Sequence, residues 1–577
     1  IARSYADPEI AVFLRSHQAE KTLFLSDFYM DAEKLTRLLA AKGLNTLVTE
    51  GLSSCDVGSN KRSGQIFRHL HSLHAVSPDQ HLHIGDNEWS DVSSPRALGV
   101  KALHYQPASA HAERLAREHL FSSREALFEH LRKKCSELAE ETGKAKLPKQ
   151  ALALSLGAAA APLFIGFALW IAEQAIRKKL GHLYFFTREG EFFFKVFSAL
   201  FPHGRLAGHA LPGVDILAVS RLSTFAPSMK DVSISEMSRI WSLFKVQSIS
   251  GLFDTLGLDG GKFLGLLDEL GLKQTDVIPD PENSQALRNL FDAPAFVEAV
   301  KSCLNNQAHL LQSYMKQCGL GLDAQIGIVD IGWRGTIQDN IARILPEVHF
   351  HGLYLGLRQF INQQPANVSK AAYGPDDNQS NGPDTLFENF AAMEMLCGSP
   401  HGSVVSYSLK EGCSTPNRQV DAEENAAHAD FVAPFQAGVL LAAKYWQPYV
   451  ERYVLASHEL HGVAMPIWDS LRRTPAEGLV DAYLHTPQHD IFGYGETFRR
   501  NQYPSLSTIF LAPILFSRRR QLIEYIRRVQ WSEAIENAKD MGPIHRRVLL
   551  QTFRTANWLK RTRLKLKRSQ RRKNAPL

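Results

Sequence analysis

The chain has 577 residues, 44% of them hydrophobic and 21% charged. That balance fits folded soluble domains and excludes a disordered or fibrous chain, and the length has room for two to four domains. The net charge of +6 comes from the C-terminus: residues 554–573 carry ten Lys or Arg and no acid, which leaves −4 for the rest and argues against a general nucleic-acid binder. Cys55, Cys135, Cys303, Cys318, Cys397 and Cys413 form no CxxC or zinc spacing, so they read as reduced thiols of a cytoplasmic protein.

Residues 1–20 read as the end of a connection followed by an amphipathic helix after Ala6-Asp7-Pro8-Glu9. The chain opens on Ile rather than Met, so the expectation is a fragment. Residues 1–108 then alternate strand and helix: Thr22–Leu25, a helix near Ala32–Lys42, Thr46–Val48, a helix Gln65–Leu73, His81–Ile84 and Lys101–Tyr105. This is the rhythm of a doubly wound α/β domain, in which polar groups at strand carboxyl ends meet ligands.

Three such groups come in order. Thr22-Leu23-Phe24-Leu25 runs into Ser26, whose hydroxyl and neighbouring N–H groups can hold phosphate oxygens. Lys61 follows, a positive charge for a phosphoryl-transfer transition state. Leu82-His83-Ile84-Gly85-Asp86 then leads to Asp91, two carboxylates that can hold Mg²⁺ through oxygen. His69, His71, His74, His81 and His83 crowd the same stretch, but no acid or cysteine completes a zinc pattern.

Hydroxyl, lysine and acid pair in this order resemble motifs II, III and IV of the haloacid dehalogenase-like phosphohydrolases. Ser26-Asp27-Phe28-Tyr29-Met30 and His83-Ile84-Gly85-Asp86-Asn87 with Ser90-Asp91 are similar to a subgroup found in bacterial surface-polysaccharide gene clusters. The resemblance implies a Mg²⁺-dependent phosphatase acting on a small phosphorylated metabolite such as a sugar phosphate. It assigns Ser26 to a phosphoryl oxygen, Lys61 to the phosphate charge, Asp86 to the metal and Asp91 to orienting Lys61. The family's nucleophile, an Asp in Asp-x-Asp-x-Thr ahead of Ser26, has no match between Ile1 and Lys21. Without it the chain is expected to bind phosphate poorly and not to turn over.

Residues 109–150 read as a charged helical linker. Ala151–Ala172 is an uncharged run long enough to span a bilayer, but its alanines, glycines and Pro162, and the strand that follows, favour a buried helix of a soluble domain. Residues 151–410 read as a second α/β domain. Strands Leu183–Phe186, Ile216–Val219 and Ile326–Val329 run into Arg188, Arg221 and Asp330, and Gly352–Leu357 adds a fourth strand. Arg334 and Thr336 follow Asp330, with Thr336 as a candidate cap for a helix Ile337–Leu345. If the strands are neighbours, these groups could bind a phosphate, a sugar phosphate or a nucleotide-sugar. They could equally form internal ion pairs with Glu189, Asp330 and Glu394.

Phe185 to Gly190, Asp330 to Gln338 and Glu394 to Ser403 also resemble the same subgroup, which extends the likeness to residues 15–410. Its members often carry an attached glycosyltransferase region, so a scaffold or a glycosyltransferase-associated module is the rival to the phosphatase reading. Residues 411–553 read as helical with no catalytic constellation. The basic tail, 554–577, reads as a linker or as a contact to an anionic membrane surface, and no nucleic-acid partner is expected.

Overall fold

The structure, a computed structural model, describes residues 4, 6–17, 19–106, 108–244, 246–321, 323, 325–379, 390–489 and 497–573. The last four residues of the basic tail lie outside them. The chain divides into two compact units, Ile1–His130 with Glu451–Val454, and Leu131–Val450 with Leu455–Leu577.

In the first unit, Asp7 caps helix α1 (Pro8–Ser16) by accepting from Glu9 N–H at 3.0 Å. Strand β1 (Leu23–Ser26) leads through helix α2 (Ala32–Ala41) to β2 (Glu50–Ser53), and the two pair in parallel, Leu23 with Glu50 through Ser26 with Ser53. Thr46–Val48, expected as a strand, is instead a turn. Leu44 C=O takes the N–H groups of Leu47 and Val48 at 3.0 Å each, so neither can join a ladder, and extended backbone begins only at Glu50. Helix α3 (Gln65–His74) buries Ile66, Phe67 and Leu70, the spacing of one helical face. Strands β3 (Leu82–Gly85) and β4 (Lys101–His104) form a second parallel pair, Leu82 with Lys101 through Gly85 with His104. Among the described residues no ladder joins the two pairs. The segment expected as a linker is two helices, α4 (Ala108–Ser122) and α5 (Arg124–Gly143).

The second unit is built on the long helix α6 (Pro148–Lys178), which contains the whole uncharged run. It is one of two helices long and apolar enough to cross a membrane among the described residues; 78% of its apolar window is buried within the protein, against 50% for the other, Ala422–Tyr453. α6 leads directly into β5 (His182–Phe186), a strand one in from the edge of a five-stranded parallel sheet. The chain crosses by helix α7 (Glu189–Leu200) to β6 (Gly213–Leu217) on one side of β5. It returns by way of helix α8 (Pro294–Gln317) to β7 (Gln325–Asp330) on the other side, then runs outward through helix α9 (Thr336–Ile344), β8 (His349–Tyr354) and β9 (Val368–Ala372).

The strands expected at 183–186, 216–219, 326–329 and 352–357 are therefore real, each shifted by one to a few residues, and all four stand side by side in the sheet. Tyr184, Phe186, Leu217, Ile326, Ile328 and Phe350 supply the core on one face. Phe192, Phe193 and Phe197 of α7 are buried, and Phe185 of β5 lies 5.6 Å from the Phe197 ring. The region expected to be helical from 411 instead begins inside a hairpin, β10 (Ser403–Lys410) with β11 (Cys413–Gln419), and turns helical from Ala422. Further helices follow, including α10 (Ala433–Tyr453), α11 (Ser457–Arg473), α12 (Leu506–Leu511), α13 (Phe516–Val529) and α14 (Pro543–Lys573).

Candidate functional sites

In the first unit Ser26 and Asp86 lie at strand carboxyl ends, Lys61 in the turn ahead of α3 and Asp91 in the helical turn after β3. Ser26 is the last residue of β1 and is half-buried. The next residue, Asp27, accepts from Lys61 N–H at 2.8 and 3.1 Å, which ties the lysine loop to the end of β1. Ser94 Oγ closes the loop from the other side by donating to Lys61 C=O at 2.6 Å. Lys61 Nζ then reaches Asp91 Oδ1 at 2.5 Å, with both side chains largely out of water.

Asp91 sits in a wide, π-type helical turn, Glu88–Ser93, whose start is capped by the Asn87 side chain. The turn folds the carboxylate back onto the end of β3. A Cβ on Gly85 would overlap it, so this close approach requires glycine. His83 Nε2 stands 3.1 Å from Asp91 Oδ1, and Asn87 N–H donates to Oδ2 at 3.1 Å.

Burial works against ionisation of Asp91, but hydrogen bonds from His83 and Lys61, the Lys61 charge and the Asn87 N–H outweigh it and hold the pKa at about 2. The folded pKa is depressed, so this stabilisation is fully present above the ordinary 3.8 and is lost as pH falls through about 2. The expected size is on the order of 2 kcal/mol. Acid unfolding of wild type and Asp91→Asn measures it: the wild-type advantage should be constant at pH 5–7 and shrink steadily below pH 4.

Asp86 is exposed, and its backbone carbonyl accepts from the His104 ring at 3.0 Å and from Gln106 at 3.2 Å. The expected Mg²⁺ partner, Asp91, is committed to Lys61 and His83. No group of three or more His, Cys, Asp or Glu able to hold a metal occurs among the described residues. The residues present thus offer Asp86 alone, which does not complete a Mg²⁺ site.

In the second unit the carboxyl ends of β5, β6 and β7 open on a crevice of about 430 Å³. It lies where the chain leaves β5 in two directions, the position at which open parallel sheets bind ligands. Arg188, Arg221 and Asp330 line it together, as the sequence suggested, with Glu189 and Glu394. Arg188 holds a left-handed φ of 69°, a strained conformation for a residue with a Cβ and one that clusters at functional sites.

Arg334 and Thr336, expected in the same site, do not line the crevice. Arg334 is drawn away by a hydrogen bond to Gln359 C=O. Thr336 is not a cap but the first residue of α9, because Gly335 occupies the N-cap at φ 66°, where no side chain caps the helix. The ion-pair alternative holds for Arg188, with a partner the sequence did not suggest: it pairs with Glu424 at 3.0 Å, and Glu189 is farther, at 3.9 Å. Glu424 belongs to a helix, Ala422–Ala427, whose N-cap Asp421 accepts from Glu424 N–H at 2.8 Å. That capping signature was legible; its distance in sequence from Arg188 hid the contact.

Glu394 Oε1 accepts from Trp333 Nε1 at 2.6 Å. Burial, followed by the nearby Glu189 charge, raises the Glu394 pKa to about 7 against the pull of Trp333, Arg188 and Arg221. Asp330 Oδ1 accepts from Ile331 N–H at 2.8 Å, and burial together with Glu189 raises its pKa well above the ordinary range. No family model matches the chain, and no curated protein matches it at a significant level.

Proposed function

We propose that the first unit is a haloacid dehalogenase-like phosphoryl-binding domain of the kind that hydrolyses the phosphate ester of a small phosphorylated metabolite. The observation that carries this reading is the Lys61–Asp91 contact, placed beside the Ser26 strand end by the Asp27 bond to Lys61 N–H. A lysine fixed by a buried carboxylate is a preorganised positive charge, the arrangement that stabilises charge on a phosphoryl group. Ser26 would donate to one phosphoryl oxygen and Lys61 to another, and Asp91 would keep Lys61 oriented. The association with surface-polysaccharide assembly rests on the motif likeness alone.

With Asp86 the one carboxylate on offer, binding by this chain rests on Ser26 and Lys61. An acid nucleophile at the end of a strand is absent from the described residues ahead of Ser26, where Asp7 serves as a helix cap. The chain should therefore bind inorganic phosphate and release none from p-nitrophenyl phosphate.

Isothermal titration with inorganic phosphate tests this. Ser26→Ala should weaken binding by about fivefold, the worth of one neutral hydrogen bond. A wild-type chain that does not bind phosphate at millimolar concentration sinks the reading.

A further inference from the structure

We propose that the crevice of the second unit is a binding site for an uncharged polyhydroxylated ligand, a monosaccharide or glycan unit, and not for the nucleotide-sugar that its arginines suggest in sequence. The volume of about 430 Å³ lies within the ~300–1,000 Å³ typical of small-molecule sites. Three arginines line it, and each is already engaged or balanced. Arg188 pairs with Glu424. Arg500 donates to Thr486 C=O at 2.6 Å and lies 4.3 Å from the Tyr483 ring centroid. Burial lowers the Arg221 pKa, and the nearby Glu394, Asp330 and Glu189 charges partly oppose that and balance its charge.

Five acids line the same walls: Glu189, Asp330, Glu394, Asp421 and Glu424. Five acids against three arginines leave the lining without the positive excess that would draw in a diphosphate. The same groups suit hydroxyls. Asp330 and Glu394 each have one oxygen held by the fold, at Ile331 N–H and Trp333 Nε1, which fixes the carboxyl and leaves its second oxygen for a ligand. Phe244, Val404 and Val420 add apolar wall for the carbon face of a sugar ring. This inference is independent of the phosphate reading, because it concerns the other unit.

Saturation-transfer NMR on the full chain, with neutral hexoses, N-acetylhexosamines and short glycans against UDP and UDP-hexose, is the test. A neutral sugar should give a signal that Asp330→Asn and Glu394→Gln each reduce about tenfold in affinity, with unchanged melting temperature as the control for folding. UDP alone should give none. Binding of UDP as tight as that of UDP-hexose, or silence from every neutral sugar, overturns the proposal.

A separate observation carries a second inference. Phe510, Ile514 and Phe516, around the turn between α12 and α13, are 63%, 79% and 81% exposed, and Ile544 at the start of α14 is 73% exposed. Arg518, Arg519 and Arg520 follow at once, and Glu524 is the single acid between 505 and 530. α12 packs against both α13 and α14, so the apolar tip shares one helical module with the basic C-terminal segment.

We infer that this module docks on an anionic lipid bilayer, inserting the apolar tip while the basic residues meet the headgroups. Apolar insertion plus a basic patch is the two-signal combination that gives stable attachment. Co-sedimentation with phosphatidylcholine vesicles, with and without about 30% phosphatidylserine, reads it out. Binding should require phosphatidylserine, fall with salt and be lost in the triple variant Phe510→Ser, Ile514→Ser, Phe516→Ser. Equal binding to both vesicle types, an unaffected triple variant, or a dimer that the triple variant dissolves in place of vesicle binding overturns it.

Discussion

Gly438→Val should cost the second unit ~3 kcal/mol or more, a large share of a domain's net stability, because added carbons in a closed contact with backbone cannot be accommodated by rotamer change. A Cβ at Gly438, on α10, would overlap Leu154 C=O of α6, and a Cβ at Gly157, on α6, would overlap Phe435 C=O of α10. The two helices thus touch backbone to backbone at reciprocal glycines. Both sides of the contact are main chain and cannot move without breaking helical hydrogen bonds. Gly157→Val should behave the same way. Gly462 is the control: it lies inside α11 with nothing within 4 Å of its Cβ position, so Gly462→Ala should stabilise by about 0.5–1 kcal/mol. Urea unfolding of the three variants separates close helix packing from glycine content.

The second large effect is expected at Lys61. Lys61→Met leaves the Asp91 carboxylate, 3% exposed, without its cation and should cost the first unit ~3–5 kcal/mol. Asp91→Asn keeps the shape, removes the charge that needs Lys61, and should cost less. The double variant Lys61→Met, Asp91→Asn should be more stable than Lys61→Met alone, a coupling that a double-mutant cycle measures directly. Additive losses would mean that the two side chains do not share a buried ion pair.

Chemistry at strand ends and in the turns beside them was readable because it is local. Ser26, Lys61, Asp86, Asp91, Arg188, Arg221 and Asp330 each follow an apolar run or a glycine turn, and each lies where that pattern places it. Positions set by backbone bonding were not readable. Thr46–Val48 has the composition of a strand, but Leu44 C=O claims its N–H groups. Thr336 looks like a cap, but Gly335 takes the left-handed position before it. Long-range partners were also hidden. Nothing near Arg188 in sequence points to Glu424, and nothing near Glu191 points to its contacts with His401 and Arg418, at 2.6 and 2.8 Å. The uncharged run at 151–172 was ambiguous for a different reason: composition cannot distinguish lipid from a protein interior, whereas the glycine contacts along α6 place protein backbone against it.

The two parallel pairs of the first unit have a consequence for handling the protein. Each pair has hydrogen-bonding groups on its outer sides, and a sheet of only two strands is marginal by itself. An extended segment of another chain can add to such a side, as in strand-addition complexes and in aggregation. The first unit, isolated at high concentration, is then the part of this protein to watch for self-association, and a peptide with alternating apolar residues is the reagent to try as a cap for it.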